Sequence, residues 1–136
     1  MKKDNRYIAF KLLEQYFESN LYINDVISNY FDKNNLDTSN KKFINNLVLG
    51  IVRMKGKYDY IFSSIYHGNY KKIKKKVRYI LDIGAHQIEE MDSIPDYAAI
   101  STTVDIAKSL FPGLDRIVNA LLRNFISSSD KYKLKE

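Results

Sequence analysis

The chain has 136 residues, of which 45% are hydrophobic, and this suits a single domain with its own core. It has no Cys, which excludes disulfides, thiol nucleophiles and thiolate zinc sites, and no run of about 18 apolar residues that would predict a membrane span or signal peptide. We therefore expect a cytoplasmic protein. Its 22 Lys and Arg outnumber its 16 Asp and Glu, and the net charge of +6 favours a polyanionic partner.

Apolar residues recur with the helical period along nearly the whole chain, and no segment alternates as a half-buried strand would. We therefore predict an all-α domain. In the first half of the chain, the pattern predicts four helices, at about residues 5–19, 24–31, 38–56 and 57–66. The third is expected to end at Gly56, because glycine is a common helix terminator.

Three more helices are predicted in the second half, at about residues 71–91, 95–110 and 114–127. Gly84 lies within the apolar stripe of the first of these, where it costs about 1 kcal/mol relative to Ala. Its presence there predicts that another helix crosses closely at this point. Residues 128–136 are polar and without pattern, so we expect one domain over residues 1–127, followed by a tail or the start of a linker.

The strongest charge feature is a basic segment at residues 71–78, in which six of eight residues are cationic. Cations at the start of a helix oppose its macrodipole, so an external anion such as phosphate explains them better than local helix stability does. A solvated face in a lysine-rich chain is the alternative. The candidate phosphate contacts are Lys71, Lys72, Lys74, Lys75 and Arg78, joined by the N-terminal Lys2, Lys3 and Arg6.

A second candidate row lies on the last helix. At about 100° per residue, Arg116, Asn119 and Arg123 fall together on the side opposite the apolar stripe, where they could contact a phosphate backbone or a base edge. A solvated face, or a buried Asn bonded to a neighbouring helix, is the alternative. Tyr70 and Tyr79 lie beside the basic segment and are predicted to stack on unpaired bases.

No pattern points to catalysis. The two histidines, His67 and His86, stand alone without carboxylates at ligand spacing, and there is no glycine-rich phosphate loop. We therefore expect no catalytic residue, no metal and no cofactor.

Three motifs resemble the NusB family in both order and spacing. They are IPDYAAI at residues 94–100, TVDIAK at 103–108 and IVNALLR at 117–123, which match an I-P start, an alanine-rich step, a V-E-x-A-K helix and a closing V-N-x-x-L. The resemblance extends over about residues 5–126. It implies a bundle of about seven helices in two three-helix subdomains, with an RNA-binding role and no chemistry of its own.

The family has two branches. One consists of free-standing antitermination factors that bind a leader RNA together with a small ribosomal protein; the other is the N-terminal domain of a small-subunit rRNA 5-methylcytosine methyltransferase. The motifs GIVR at residues 50–53 and GAHQI at 84–88, with Arg123, resemble the methyltransferase branch, although His86 replaces its usual Tyr. Gln87 stands where antitermination factors more often carry an acid, on the surface that meets the ribosomal protein, which argues against that partnership.

The leading hypothesis is a non-catalytic RNA-binding domain acting on rRNA or its precursor, with catalysis supplied by another domain or protein. A free-standing antitermination factor remains an alternative, as does a module that binds a ribosomal or transcription protein through a groove between helices. We do not expect a membrane partner, because helix 71–91 is too apolar on its inner face to leave a bundle.

Overall fold

The computed structural model describes residues 4–133 and confirms the all-α prediction: within this range there are six α-helices, one 3-10 turn and no strand. No helix in the described part of the chain is long and apolar enough to cross a membrane. The helices are α1 (Asn5–Phe17), α2 (Ile23–Lys33), α3 (Thr38–Ile65), α4 (Lys75–Glu90), α5 (Asp96–Leu110) and α6 (Asp115–Lys133), and the 3-10 turn is Tyr70–Lys72.

The predicted break at Gly56 is wrong, because α3 continues through it as one helix. Glycine ends a helix when it takes a left-handed backbone conformation, and Gly56 does not have a positive φ. An interior glycine costs about 1 kcal/mol. Burial of Ile51 before it and of Tyr58 after it offsets this cost, since both side chains are fully enclosed in the core.

The helix predicted from residue 71 begins later, at Lys75. Before it, the chain forms the 3-10 turn, and Ile73 and Lys74 are extended, with ψ of 138° and 130°. Tyr70 explains this interruption: its ring is buried against Phe62, with the centroids 5.7 Å apart, and it holds the turn against the core.

The last helix runs to Lys133, beyond the predicted end at residue 127. The polar residues there include no Gly or Pro that would break a helix. The assignment of residues 128–136 as a tail or linker stays a prediction.

Helix α4 is the centre of the bundle, since it packs against α1, α3, α5 and α6. Every residue of α4 from Tyr79 to Gln87 is buried. A methyl group on Gly84 would lie 2.7 Å from both Cδ atoms of Leu122 on α6, which confirms the predicted close crossing. Helices α1 to α3 form one group and α4 to α6 the other, and α1 and α3 join the groups by packing against α4.

Candidate nucleic-acid interface

The basic segment presents four exposed lysines: Lys71, Lys72, Lys74 and Lys75. None of the four forms an ion pair with a carboxylate in the described part of the chain. Lys76 differs, because its Nζ lies 2.6 Å from Oε2 of Glu14 on α1. The four exposed lysines therefore form a positive surface that runs from the 3-10 turn to the first residue of α4, with the carboxylate of Glu18 bordering it beside Lys74 and Lys75.

Arg78 also belongs to this segment, but it contacts the protein itself. Its Nε donates a hydrogen bond to the carbonyl oxygen of Ile73 at 3.1 Å, and its guanidinium lies 5.9 Å from the Tyr70 ring centroid. At the other end of the turn, the Asn69 side chain accepts a hydrogen bond from the backbone N–H of Lys71. These contacts support the shape of the lysine-bearing backbone, and contact of Arg78 with RNA stays a prediction.

The stacking role predicted for Tyr70 and Tyr79 is wrong, because their side chains point into the core. Tyr70 is 3% exposed and Tyr79 is 5% exposed, and the Tyr79 ring packs on Phe17 with the centroids 5.3 Å apart. Burial raises the pKa of Tyr79 to about 12. Among residues 4–128, whose burial is described, the exposed tyrosines are Tyr22, Tyr60 and Tyr97.

Arg6 is half-buried and joins three helices. Its Nε donates a hydrogen bond to Oε1 of Gln87 on α4 at 2.7 Å, and its guanidinium lies 5.1 Å from the ring centroid of Phe43 on α3. Gln87 itself is fully buried and also donates to Oγ1 of Thr103 on α5. In this chain Gln87 is therefore a core residue and does not lie on a surface. Contact of Arg6 with RNA stays a prediction, and Lys2 and Lys3 lie outside the described residues.

The second predicted row is present on α6. Arg116 and Arg123 are exposed and Asn119 is half-buried, and Nε of Arg123 donates to Oδ1 of Asn119 at 3.4 Å. Asn119 and Arg123 line a groove of about 560 Å³ between α5 and α6. The other side of this groove carries Tyr97, which is 78% exposed. The sequence showed the row, but the groove depends on how α5 packs against α6.

The basic segment contacts the α5–α6 turn. Nζ of Lys74 lies 5.5 Å from the ring centroid of Phe111, the residue that follows α5. Arg116 follows five residues later, in the first turn of α6. Asn119 and Arg123 lie further along α6, against the N-terminal half of α5.

The remaining ionisable groups of interest are held in the core. His86 Nδ1 lies 2.7 Å from the hydroxyl of Tyr58, and burial lowers the pKa of His86 to about 4, so the ring is neutral near pH 7. Asp82 is fully buried and forms a 2.6 Å ion pair with Lys55. Within the described range, no cluster of three or more His, Cys, Asp or Glu could hold a metal ion.

The sequence model of the NusB family matches residues 3–127 of this chain. The chain belongs to the NusB family. Domains of this family bind RNA. The predicted resemblance is thereby confirmed over nearly the whole chain.

Two relatives of this NusB chain carry the same name, probable ribosomal RNA small subunit methyltransferase B. The Synechocystis sp. protein is 28% identical over 129 residues, and the Bacillus subtilis protein is 31% identical over 126 residues. The alignments cover 94% and 91% of this chain but 29% and 28% of the relatives. The chain thus spans less than a third of their length and matches their non-catalytic N-terminal portion.

Proposed function

We propose that this chain is an RNA-binding domain that acts on rRNA or its precursor in the cytoplasm and contributes binding and positioning, without catalysis of its own. The observation that carries the proposal is the cluster of four exposed lysines, unpaired within the described residues, on a domain of the NusB family. Lys74 and Lys75 lie at the N-terminus of α4, where their charge opposes the helix macrodipole and is compensated when a polyanion binds. Lys71 and Lys72 precede the helix and add charge to the same surface.

Phosphate is the chemical group that this surface fits. Lysine ammonium groups bind backbone phosphates as point charges and release condensed counterions, which supplies affinity without sequence preference. The rigid turn keeps the four lysines on a short stretch of backbone, so they can meet successive phosphates of one strand. Each phosphate neutralised adds about 0.7–0.9 to the slope of log affinity against log salt.

The names of the two relatives extend this proposal. Both are methyltransferases of small-subunit rRNA, and we infer that this domain holds the same class of RNA for a methyltransferase catalytic unit, either covalently linked or separate. The antitermination alternative has no support from these relatives and stays a prediction.

The test measures binding of a fluorescently labelled fragment of small-subunit rRNA over a range of salt concentrations. Lys75→Glu is expected to weaken binding and to lower the salt slope by roughly 0.7–0.9, the share of one phosphate contact. Lys33→Glu, an exposed lysine at the end of α2, is the control for a change in net charge, and it should leave the slope unchanged. Salt-independent binding, or equal losses in Lys33→Glu and Lys75→Glu, would overturn the proposal.

A further inference from the structure

The groove between α5 and α6 contains a combination of side chains that the phosphate-binding role does not use. Tyr97, in the first turn of α5, has 78% of its surface exposed, although tyrosine rings are usually largely covered. The ring borders the groove that Asn119 and Arg123 line from α6. An aromatic face, an amide and a guanidinium therefore border the same cavity.

We propose that this groove receives an unpaired nucleobase of the bound RNA, with the base stacked on Tyr97, its edge at Asn119 and the adjoining phosphate at Arg123. The inference rests on the proposed function, because it takes the strand to be the one held by the basic segment. Lys74 of that segment contacts Phe111, just after the end of α5, whereas Tyr97 lies in its first turn. The two positions are about 21 Å apart at 1.5 Å per residue, so one strand held by both must follow α5 for several nucleotides.

The chemistry of the groove matches a nucleobase in two respects. Its lining includes the half-buried apolar side chains Ile100 and Val104, which suit the flat faces of a ring. The amide of Asn119 offers an NH₂ donor and an oxygen that can accept a second hydrogen bond besides the one from Arg123, as a base edge requires.

Two carboxylates restrict which chemical groups can enter the groove. Asp96 and Asp105 border the groove on the α5 side, so only the α6 side is suited to a phosphate. Carboxylates accept hydrogen bonds from the exocyclic amino groups of adenine, cytosine and guanine. Uracil has no amino group, so we expect the groove to bind uridine most weakly.

The experiment compares four labelled RNA octamers of equal charge: oligoadenylate, oligocytidylate, oligouridylate and an abasic strand. Because the four strands carry the same number of phosphates, their contacts with the lysines should be the same. Wild-type protein should bind the adenine and cytosine strands more tightly than the uracil strand, and the abasic strand most weakly. Tyr97→Ala should weaken adenine binding roughly 5- to 150-fold, the range for one lost aromatic stack, with no change in salt slope.

Matched variants separate stacking from other effects. Tyr97→Phe should keep adenine affinity, because the ring remains. Tyr22→Ala, which removes another highly exposed tyrosine, should also leave it unchanged. Circular dichroism melting of each variant checks that the fold is retained.

The inference fails if Tyr97→Ala binds the adenine strand as wild type does, or if it weakens the abasic strand equally. Salt-dependent binding that ignores Tyr97 would leave the RNA-binding proposal standing and would point to a protein as the groove's partner. Loss of salt dependence in every strand would instead refute the RNA-binding proposal itself.

Discussion

Replacement of Gly50 or Gly56 on α3 by alanine should change the free energy of unfolding in opposite directions. A methyl group on Gly50 would overlap Nε2 and Cε1 of His86, whereas one on Gly56 would meet no atom within 4 Å. The His86 ring has little freedom to retreat, because it is buried and its Nδ1 is hydrogen-bonded to Tyr58 at 2.7 Å. Gly50→Ala therefore forces a core rearrangement that Gly56→Ala does not.

The expected magnitudes follow from these surroundings. Replacing an interior helical glycine with alanine gains about 1 kcal/mol of helix stability at either position. At Gly56 nothing opposes this, so the free energy of unfolding should rise by about 0.5–1 kcal/mol. At Gly50, overpacking costs about 1–3 kcal/mol and loss of the Tyr58–His86 hydrogen bond about 1 kcal/mol, which leaves a net loss of about 1–3 kcal/mol.

Urea unfolding followed by circular dichroism measures both changes. The same pair of substitutions in a His86→Ala background isolates the cause, because residues in contact show non-additive effects. Without the imidazole ring, Gly50→Ala should lose most of its penalty, while Gly56→Ala should keep its gain. Stabilisation by Gly50→Ala in the wild-type background, or an unchanged penalty without the ring, would refute the reasoning.

Three further predictions follow from contacts in the core. Gly84→Ala should destabilise the fold by up to about 2 kcal/mol in urea unfolding, because crowding of Leu122 costs about 1–3 kcal/mol and alanine regains about 1 kcal/mol; a stabilised variant would mean that α6 yields easily. Burial raises the pKa of Asp82 to about 7, so the native state binds its proton more tightly than the unfolded chain does. The stability of Asp82→Asn relative to wild type should therefore rise as pH increases from about 4 to about 7, and a pH-independent difference in urea titrations would contradict this. Arg6→Ala should cost about 1.5–3 kcal/mol, because it leaves the buried amide oxygen of Gln87 without its charged donor; RNA affinity lost with stability unchanged would instead make Arg6 a direct RNA contact.

The number and order of helices were largely predictable from apolar spacing, but the role of each glycine was only partly so. Gly84 interrupts an apolar stripe, and that position alone indicates a close helix crossing. Gly56 has no such context: the same residue type ends some helices and continues others, depending on whether φ becomes positive. Whether the helix continues through Gly56 depends on the packing of the residues on both sides of it, and their packing partners are far away in the chain.

The candidate interface was predictable to the extent that it depends on local charge. The lysines of the basic segment are exposed as expected, because an ammonium group is costly to bury wherever the helix begins. Tyr70 was misassigned because the chain begins α4 at Lys75 instead of residue 71. Tyr79 was misassigned because α4 packs against four helices, which buries even the residues outside its main apolar stripe. The groove at Tyr97 could not be foreseen, because it arises where α5 and α6 meet.

Three of the residues that distinguish the two family branches in the sequence, Gly50, Gly84 and Gln87, are core residues in the structure, whereas Arg53 and Arg123 are exposed. Gly50 accommodates His86, Gly84 accommodates Leu122, and Gln87 accepts the hydrogen bond of Arg6. Similarity to the methyltransferase relatives at these positions therefore concerns how the helices pack. Apart from Arg123, which is exposed and belongs to both sets, the proposed contacts of the lysines and Tyr97 lie elsewhere, on exposed side chains whose replacement costs little stability. A NusB domain could thus keep these core motifs and lose its RNA affinity, so the lysines and Tyr97 are better evidence of binding than the motifs are.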